Sequence, residues 1–401
     1  MALKIALIVS GFPTAENPRR GIFNMRAHRA LSEFAEVRVV FLRAWTPGRP
    51  SRQDSKYEGV PITTVTSPQL PVRRVLGARF SVATNIKLYQ TFGWSAVSDA
   101  IADADVIHSV DAVVGMIVSV WAMRCRKTHI VQVIGSDVNT IIPRLPSFAR
   151  LGWQKSVHGV ICNSKDLATR FSALYPAVSN VRVIHRGVDL DMFSPHGTAC
   201  GPLADKGPVR FAFFGGFQRH ALSPHYVKGG PTILSAWEDR EADFARAGST
   251  LVLGGPGCQG RLVRSWRRRL RYPGLVHIIG DVAPPAMPGY LRAADVVLVP
   301  SHAEGLPNIC VEASACGRCV IASNIGGIPD VISDGETGMV LPADDAPRWA
   351  AAMIACSTQI ERLHDMGRRG RVKTKTFFDA RDYGTKLMAL YRLALKERLP
   401  A

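Results

Sequence analysis

Short apolar runs alternate with stretches of helical spacing along most of this chain. Lys4–Val9 is nearly continuous in apolar residues, as a strand buried on both faces of a parallel sheet would be. After a loop rich in Gly, Pro and Asn, Gly21–Phe34 carries Phe23, Ala27, Ala30, Leu31 and Phe34 near a helical period, which predicts a helix. Val37–Leu42, Val106–Ser109, Ile130–Ile134, Gly159–Cys162 and Val181–Ile184 predict further strands, and Ala112–Met123 predicts a buried helix. Arg43–Pro71 shows little periodicity and reads as loop. A second series follows a Gly- and Pro-rich stretch between Asp191 and Pro208. There Val209–Phe214, Thr250–Leu253, Val276–Ile279, Val296–Val299 and Cys319–Ala322 predict strands, with helices in most of the intervals. Near the end, Tyr383, Leu387, Leu390, Tyr391 and Ala394 share one face of a helix over Asp382–Arg398. Such alternation predicts an α/β protein with two Rossmann-like domains, each a parallel sheet covered on both faces, and a cleft between them as the natural ligand site. The expected bounds are 1–195 and 196–380, with a terminal helix over 381–401.

A length of 401 residues suits two domains at ~100–200 residues each. Hydrophobic residues make up 47% and charged residues 20%, which excludes global disorder. The uncharged run Ala112–Met123 falls short of the ~18 residues that a membrane span needs. The opening apolar run lacks the features of a signal peptide, so a cytoplasmic protein is expected. Eight cysteines are scattered through the chain. Cys316 and Cys319 have the spacing of a redox or zinc pair, but no second pair accompanies them and they fall at a helix-to-strand turn. A reduced protein is the simpler reading.

The net charge of +18 divides into +11 over residues 1–195 and +7 over 196–401. A basic surface attracts nucleic acid, anionic lipid or an anionic substrate; an arginine-rich proteome would give the same balance. No recognisable nucleic-acid-binding module appears, so no nucleic-acid partner is expected. Arg261–Arg271 has an apolar face of Leu262, Val263, Trp266 and Leu270 opposite its arginines. This suits an anionic membrane or, preferably, a solvated helix face. Val72–Tyr89 is a second basic and apolar stretch.

The densest chemistry lies in Val296–Asp345. Glu304 and Glu312 flank a Gly305-Leu306-Pro307-Asn308 turn that follows an apolar strand. Carboxylates at a strand's carboxyl end accept hydrogen bonds from sugar diols, and a helix start beside them offers N–H groups to phosphate. Alone, the pair also reads as a surface glutamate and a helix-terminal glutamate. In context, the pattern P-S-x-x-E-G-L-P-N-x-x-x-E-A-x-A-x-G from Pro300, followed by Val320–Asp330 and Asp334–Pro342, resembles the family 4 glycosyltransferases. The likeness extends to Gly11–Pro13, Arg20–Phe23, Val133–Asn139, Ile161–Ser164, Val183–Pro195, Phe214–Phe217 and Lys228–Gly230, and so to most of the chain.

The resemblance implies a GT-B fold with two Rossmann-like domains facing a cleft and the C-terminal helix packing back on the N-terminal domain. It implies a retaining glycosyltransferase (class EC 2.4) that moves a sugar from a UDP- or GDP-sugar to a saccharide or lipid-linked saccharide in cell-surface polysaccharide biosynthesis. Peripheral contact with the anionic inner face of the cell membrane goes with such an acceptor. Glu304 would hold donor-sugar hydroxyls, Glu312 the ribose, and Lys228 the leaving diphosphate. Gly305, Leu306, Pro307 and Asn308 would line the sugar and phosphate, Gly216 would belong to the diphosphate loop, and Val282 would pair with the base. Gly21 and Arg20 form the phosphate and acceptor loop, and Asp137 is a further catalytic candidate. No metal or other cofactor is implied. The sequence departs from the family in three places. Gly216-Phe217-Gln218 replaces the usual Gly-Arg, which makes Arg219 the substitute candidate, the insert Arg219–Val227 before Lys228 is long, and Ile134 stands where many members have His. His108 and His302 are read as structural. The alternatives are a non-catalytic nucleotide-sugar-binding GT-B protein, a GT-B epimerase or phosphorylase, and last a basic nucleic-acid-binding protein.

Overall fold

The computed structural model describes residues 2–17, 20–46, 50–69, 77–203, 208–218 and 226–398, apart from the side chains at 77–79 and 398. The chain divides into unit 1, Met1–Arg186 with Arg381–Ala401, and unit 2, Gly187–Ala380. Where the chain passes from one unit to the other, its two crossings are paired. Val188 N–H donates to the Phe378 carbonyl at 2.8 Å, and Ala380 N–H donates to the Val188 carbonyl at 3.1 Å. Gly187 has φ +71, and a Cβ there would meet the Asp379–Ala380 backbone at 2.7–2.8 Å. The change of unit therefore precedes the Gly- and Pro-rich stretch at 191–208.

Unit 1 has eight strands: β1 Leu3–Val9, β2 Ala35–Ala44, β3 Arg52–Tyr57, β4 Val60–Ser67, β5 Val106–Val110, β6 Thr128–Val133, β7 Gly159–Cys162 and β8 Val181–Val183. Their order is β3-β4-β2-β1-β5-β6-β7-β8, and every pairing is parallel except β3 with β4. Alternation along β1 sends Ile5, Leu7 and Val9 to one core and Ala6 and Ile8 to the other. The expected loop at Arg43–Pro71 is in fact the end of β2 and a hairpin. Strand β3 is almost wholly exposed and polar, so it carries no apolar period. It forms as a charged edge, a common guard against edge-to-edge association. Glu58 at φ 47 and Gly59 at φ 81 make its tight turn.

The expected helix after β1 is Ile22–Ser32, but its buried face is Asn24, Met25, Ala27, His28 and Leu31. Phe23 and Phe34 are exposed, so the face is turned from the one their spacing predicts. The C-terminal helix Arg381–Arg398 belongs to unit 1. Its Tyr383, Leu387, Leu390, Tyr391 and Ala394 are buried against Ile5, Leu7, Val39 and Ile130, each large side chain contributing about 1.5–3 kcal/mol. Two polar ties fix its register: Tyr391 Oη with His108 Nδ1 at 2.7 Å, and Tyr383 Oη donating to Gln132 Oε1 at 3.1 Å.

Unit 2 has six parallel strands: β9 Arg210–Phe213, β10 Thr250–Gly254, β11 Val276–Gly280, β12 Val296–Val299, β13 Cys319–Ser323 and β14 Gly338–Leu341. Their order is β11-β10-β9-β12-β13-β14, with buried clusters on both faces. Strand β14 is short and begins with Gly338, whose absent side chain lets the Val320 carbonyl approach; its sequence carries little strand signal. The order reverses between β9 and β12, which is where open α/β sheets bind ligands at the strands' carboxyl ends. The long helix Ala112–Arg124 is apolar and largely buried in unit 1. Among the described residues, no helix is long and apolar enough to cross a membrane.

Candidate functional site

The carboxyl ends of β9 and β12 bring two predicted residues together. Lys228 Nζ donates to Glu304 Oε1 at 2.7 Å, and Ser301 Oγ donates to the same oxygen at 2.7 Å. The Glu304 side chain is 10% exposed and that of Lys228 45%. Glu304 thus has a fixed carboxylate with Oε2 available to a further donor, while Lys228 remains largely accessible.

Glycines set this geometry. Gly229 has φ +67, and a Cβ there would lie 1.7 Å from the Pro300 carbonyl oxygen. His302 N–H donates to the Val227 carbonyl at 2.8 Å. The segment Val227–Gly229 is thereby held against the loop that carries Glu304. Gly215 lies beneath Lys228, since a Cβ on it would meet the Lys228 Cβ at 2.9 Å. From the far side, Gly326 packs on the Glu304 carbonyl, and Gly327 N–H donates to the Gly305 carbonyl at 2.7 Å. Ser301 and the Gly326-Gly327 turn were not among the predicted site residues. Their signal was present in the Pro-Ser pair before Glu304 and the Gly-Gly pair after β13.

Two helices start at this reversal, Gly230–Asp239 after β9 and Asn308–Ala315 after β12, and neither has a side-chain cap. Their first N–H groups and positive dipole ends favour an anion. Pro307 is extended at φ −72, ψ 117 and precedes the second helix rather than opening it. Glu312 therefore stands in the second turn, partly buried. Leu306 and Asn308 are partly buried, and Gly305 is buried. Gly216 has φ +75, and a Cβ there would lie 2.5 Å from the Pro256 carbonyl oxygen, so loop packing already requires the glycine. Val282 follows β11 and is partly buried. Arg219 lies outside the described residues.

In unit 1, Asp137 lies in the turn after β6. Its carboxylate is buried and accepts from the backbone N–H groups of Ala112, Ile134, Gly135 and Val138 at 2.8–3.2 Å. It holds the turn after β6 to the helix after β5. Ile134 packs against the core beside it. Gly21 at φ +66 lies against Gly11, whose carbonyl oxygen would be 2.2 Å from a Cβ. Arg20 Nη2 donates to the Ser10 carbonyl at 3.1 Å. His108 is buried, its Nδ1 bound to Tyr391, and burial depresses it to about 3. His302 pairs with Asp344 at 3.2 Å. Both histidines have structural partners.

The eight cysteines are free. Burial raises the Cys316 thiol to about 12, as it does Cys356, and raises Cys319 further still. All three are the inert kind. Among the described residues, no group of three or more His, Cys, Asp or Glu side chains is placed to hold a metal ion.

Residues 22–192 match the model of Glycosyltransferase Family 4, and residues 210–359 match that of Glycosyl transferases group 1. The chain belongs to the family 4 glycosyltransferases. A D-inositol 3-phosphate glycosyltransferase from Kribbella flavida is 27% identical over 243 residues, 59% of this chain and 55% of the relative. One from Segniliparus rotundus is 30% identical over 246 residues, 59% and 52% of the two chains. This chain thus spans about half the length of the curated relatives it matches. Among solved structures, sucrose-phosphate synthase from Thermosynechococcus elongatus has a TM-score of 0.73 at 20% identity, covering 98% of this chain and 100% of its own. Anabaena HepE, solved in complex with UDP, has a TM-score of 0.69 at 15% identity, with the same coverage. These likenesses show the fold, which is of the GT-B class.

Proposed function

We propose that this family member is a retaining glycosyltransferase that moves a sugar from a nucleotide-sugar to a saccharide acceptor. The observation that carries this reading is the Lys228–Glu304 pair at the reversal of the unit 2 sheet, beside two uncapped helix starts. Departure of a nucleoside diphosphate builds negative charge. The Lys228 ammonium and the N–H groups of Gly305, Leu306 and Asn308 offset it, as preorganised donors do elsewhere. Glu304, held through Oε1, offers Oε2 to donor-sugar hydroxyls. Glu312 takes the ribose hydroxyls, Gly216 and Arg219 belong to the diphosphate loop, the backbone at Val282 takes the base, and Gly21 with Arg20 belongs to the phosphate and acceptor loop. The lysine and the helix starts take the part of a metal, so none is required. Retention follows if a donor phosphate oxygen accepts the acceptor's proton, since that path needs no protein nucleophile.

HepE bound to UDP supports a UDP-sugar donor, and the relatives named for inositol 3-phosphate support a phosphorylated or saccharide acceptor. Synthesis of cell-surface polysaccharide on a lipid-linked acceptor is the finer form of the reading. Peripheral contact with anionic membrane goes with it, and cosedimentation with anionic liposomes at low salt tests that contact. Thermal shift with UDP- and GDP-sugars identifies the donor. Turnover of the preferred donor then falls sharply in Lys228→Ala and Glu304→Ala; wild-type turnover in both variants overturns the site.

A further inference from the structure

The helices Gly230–Asp239 and Arg261–Arg269 follow the adjacent strands β9 and β10 and lie side by side. Two contacts set their register. Trp266 Nε1 donates to the Leu234 carbonyl at 3.1 Å, and Arg269 makes a two-point pair with Glu238 at 3.2 Å. Residue number rises in the same direction on both helices, so they are parallel. Between them runs an open groove of about 490 Å³. Pro231, Leu234, Leu262 and Trp266 give it apolar walls, and Ser235 and Ser265 are small enough to leave it open. The Glu238–Arg269 pair closes the end at the helices' carboxyl termini, and Arg261 stands at the other end. Leu262 is 43% exposed in the wall, and an apolar side chain there stabilises nothing until something covers it.

A row of cations borders the groove. Arg261, Arg264 and Arg268 stand three and four residues apart, so they share a helical face next to the one that carries Leu262 and Ser265. All three are exposed, and among the described residues none pairs with a carboxylate. Arg267, off this row, donates to the Pro273 carbonyl at 3.3 Å. The row works against its own helix. Like charges at that spacing repel, and cations in the first turn oppose the positive end of the dipole. That turn has no acidic residue and no side-chain cap to offset them. An external anion would. The row alone suits any polyanion, but the apolar groove beside it selects an anion that carries an alkyl chain. A second copy of this chain, at a net charge of +18, is repelled by the row.

We propose that this groove binds an anionic lipid of a membrane surface, with one acyl chain along Leu234, Leu262 and Trp266 and the phosphate on Arg261 and Arg264. Arginine meets phosphate oxygens with two parallel hydrogen bonds, and Arg268 is left for a neighbouring headgroup. A basic amphipathic helix that lies on a membrane usually offers its own apolar face. Here that face, Val263, Trp266 and Leu270, is spent in the core, and the groove supplies apolar surface in its place. The proposal deepens the membrane contact put forward above by giving it a surface in unit 2. It rests on that contact and not on the transfer chemistry.

Cosedimentation of the full chain at low salt tests it, with vesicles of phosphatidylcholine alone and of phosphatidylcholine with about a quarter phosphatidylglycerol. The anionic vesicles should bind at least about tenfold more tightly. Arg261→Gln, Arg264→Gln and Arg268→Gln together should lower that affinity about a hundredfold, at roughly fivefold per arginine. Ser265→Trp fills the groove without changing the charge, and should lower the affinity for monomeric decyl phosphate about tenfold. Unfolding curves of both variants separate lost binding from lost fold. Equal binding to the two vesicles overturns the proposal and the membrane contact with it. Anionic-vesicle binding that survives the triple substitution, or decyl phosphate affinity unchanged in Ser265→Trp, overturns the groove and leaves the contact standing. Decyl phosphate bound without vesicle binding makes the ligand a free amphiphile, and polyglutamate bound as tightly as anionic vesicles makes it an acidic protein; either result overturns the assignment to a membrane lipid. Donor turnover in the same variants reads the β9–β12 site separately, so failure of one reading is distinguishable from failure of the other.

Discussion

Both sheets reverse their strand order, between β1 and β5 in unit 1 and between β9 and β12 in unit 2, but the two reversals are finished differently. In unit 2 a lysine and a glutamate close on each other, and glycines press the surrounding loops together. The two charges are paired without ligand, and Glu304 Oε2 and the exposed side of Lys228 stay open to one. In unit 1 the Asp111 carboxyl, on a strained backbone at φ 73, ψ 151, lines a cavity together with Arg20 and Arg43, which pair with no carboxylate among the described residues. One topology thus supports a site assembled by backbone contact and another lined by side chains around a cavity. The first kind is sensitive to any added atom, and the second to charge.

The largest effect should come from dividing the unit 2 pair. Lys228→Ala is expected to lower donor turnover about 10²–10³-fold, the usual loss when one preorganised charge-stabilising donor is removed. Single-turnover kinetics with saturating donor would show it, and a loss below about threefold would place the diphosphate elsewhere. Next, Gly229→Ala probes backbone assembly. It adds left-handed strain of about 1–3 kcal/mol and a Cβ 1.7 Å from the Pro300 oxygen. Gly59→Ala, at φ +81 with nothing within 4 Å, adds only the strain, about 1–2 kcal/mol. Chemical denaturation should find Gly229→Ala the more destabilised, with donor affinity lost in that variant alone. Equal losses would mean that the Lys228 loop yields freely.

Unit 1 should answer to pH instead. Asp111 is raised in the folded chain to about 7 from the usual carboxylate value. Its protonated form therefore stabilises the fold below about pH 4, and that contribution is lost as pH rises to about 7. Asp111→Asn removes the dependence, so its stability relative to wild type should climb between pH 4 and 7 and then level off. His108 and His129 act in the opposite sense. Burial holds both near 3, so the unfolded chain takes up protons first below ~6.5, and stability falls as pH drops. Tyr391→Phe leaves His108 Nδ1 without its hydroxyl partner and should cost about 1–3 kcal/mol at any pH. Equilibrium unfolding at pH 5 and pH 8 separates the two effects.

The same contrast explains what could be read from sequence. The parts of the unit 2 site that were read lie in continuous strings, Pro300–Glu312 and Lys228-Gly229, whereas the Gly326-Gly327 turn joins them only in the fold. The folds of both units were legible at most of the apolar strands, and failed at the β3–β4 hairpin, whose first strand is polar and whose second is rich in threonine, and at β14, which is short. The partners of Asp137 were not legible, because an acidic residue after a glycine-bearing turn has the same spelling whether it faces a ligand or four backbone N–H groups. The unit 1 cavity escaped because Ser10, Arg43 and Asp111 are far apart in sequence and meet only through the β1–β5 and β1–β2 pairings. Backbone strain at Asp111 has no sequence signature at all.

The smallest effects should come from the basic helix Arg261–Arg269, which belongs to neither reversal. Val263 and Trp266 are buried there, but Leu262 is 43% exposed, which corrects the apolar face read from spacing. Trp266 Nε1 donates to the Leu234 carbonyl at 3.1 Å, so the helix is anchored by its indole rather than by its charges. Arg269 and Glu238 form an exposed pair at 3.2 Å, and exposed pairs contribute about 0–1 kcal/mol. Glu238→Gln should therefore shift stability by less than about 0.5 kcal/mol. Replacing Arg261, Arg264 and Arg268 together by Gln should leave donor turnover unchanged while reducing cosedimentation with anionic liposomes, if this face is what touches them. Turnover lost without change in stability would tie this helix to the β9–β12 site and break the division between assembled site and solvated surface.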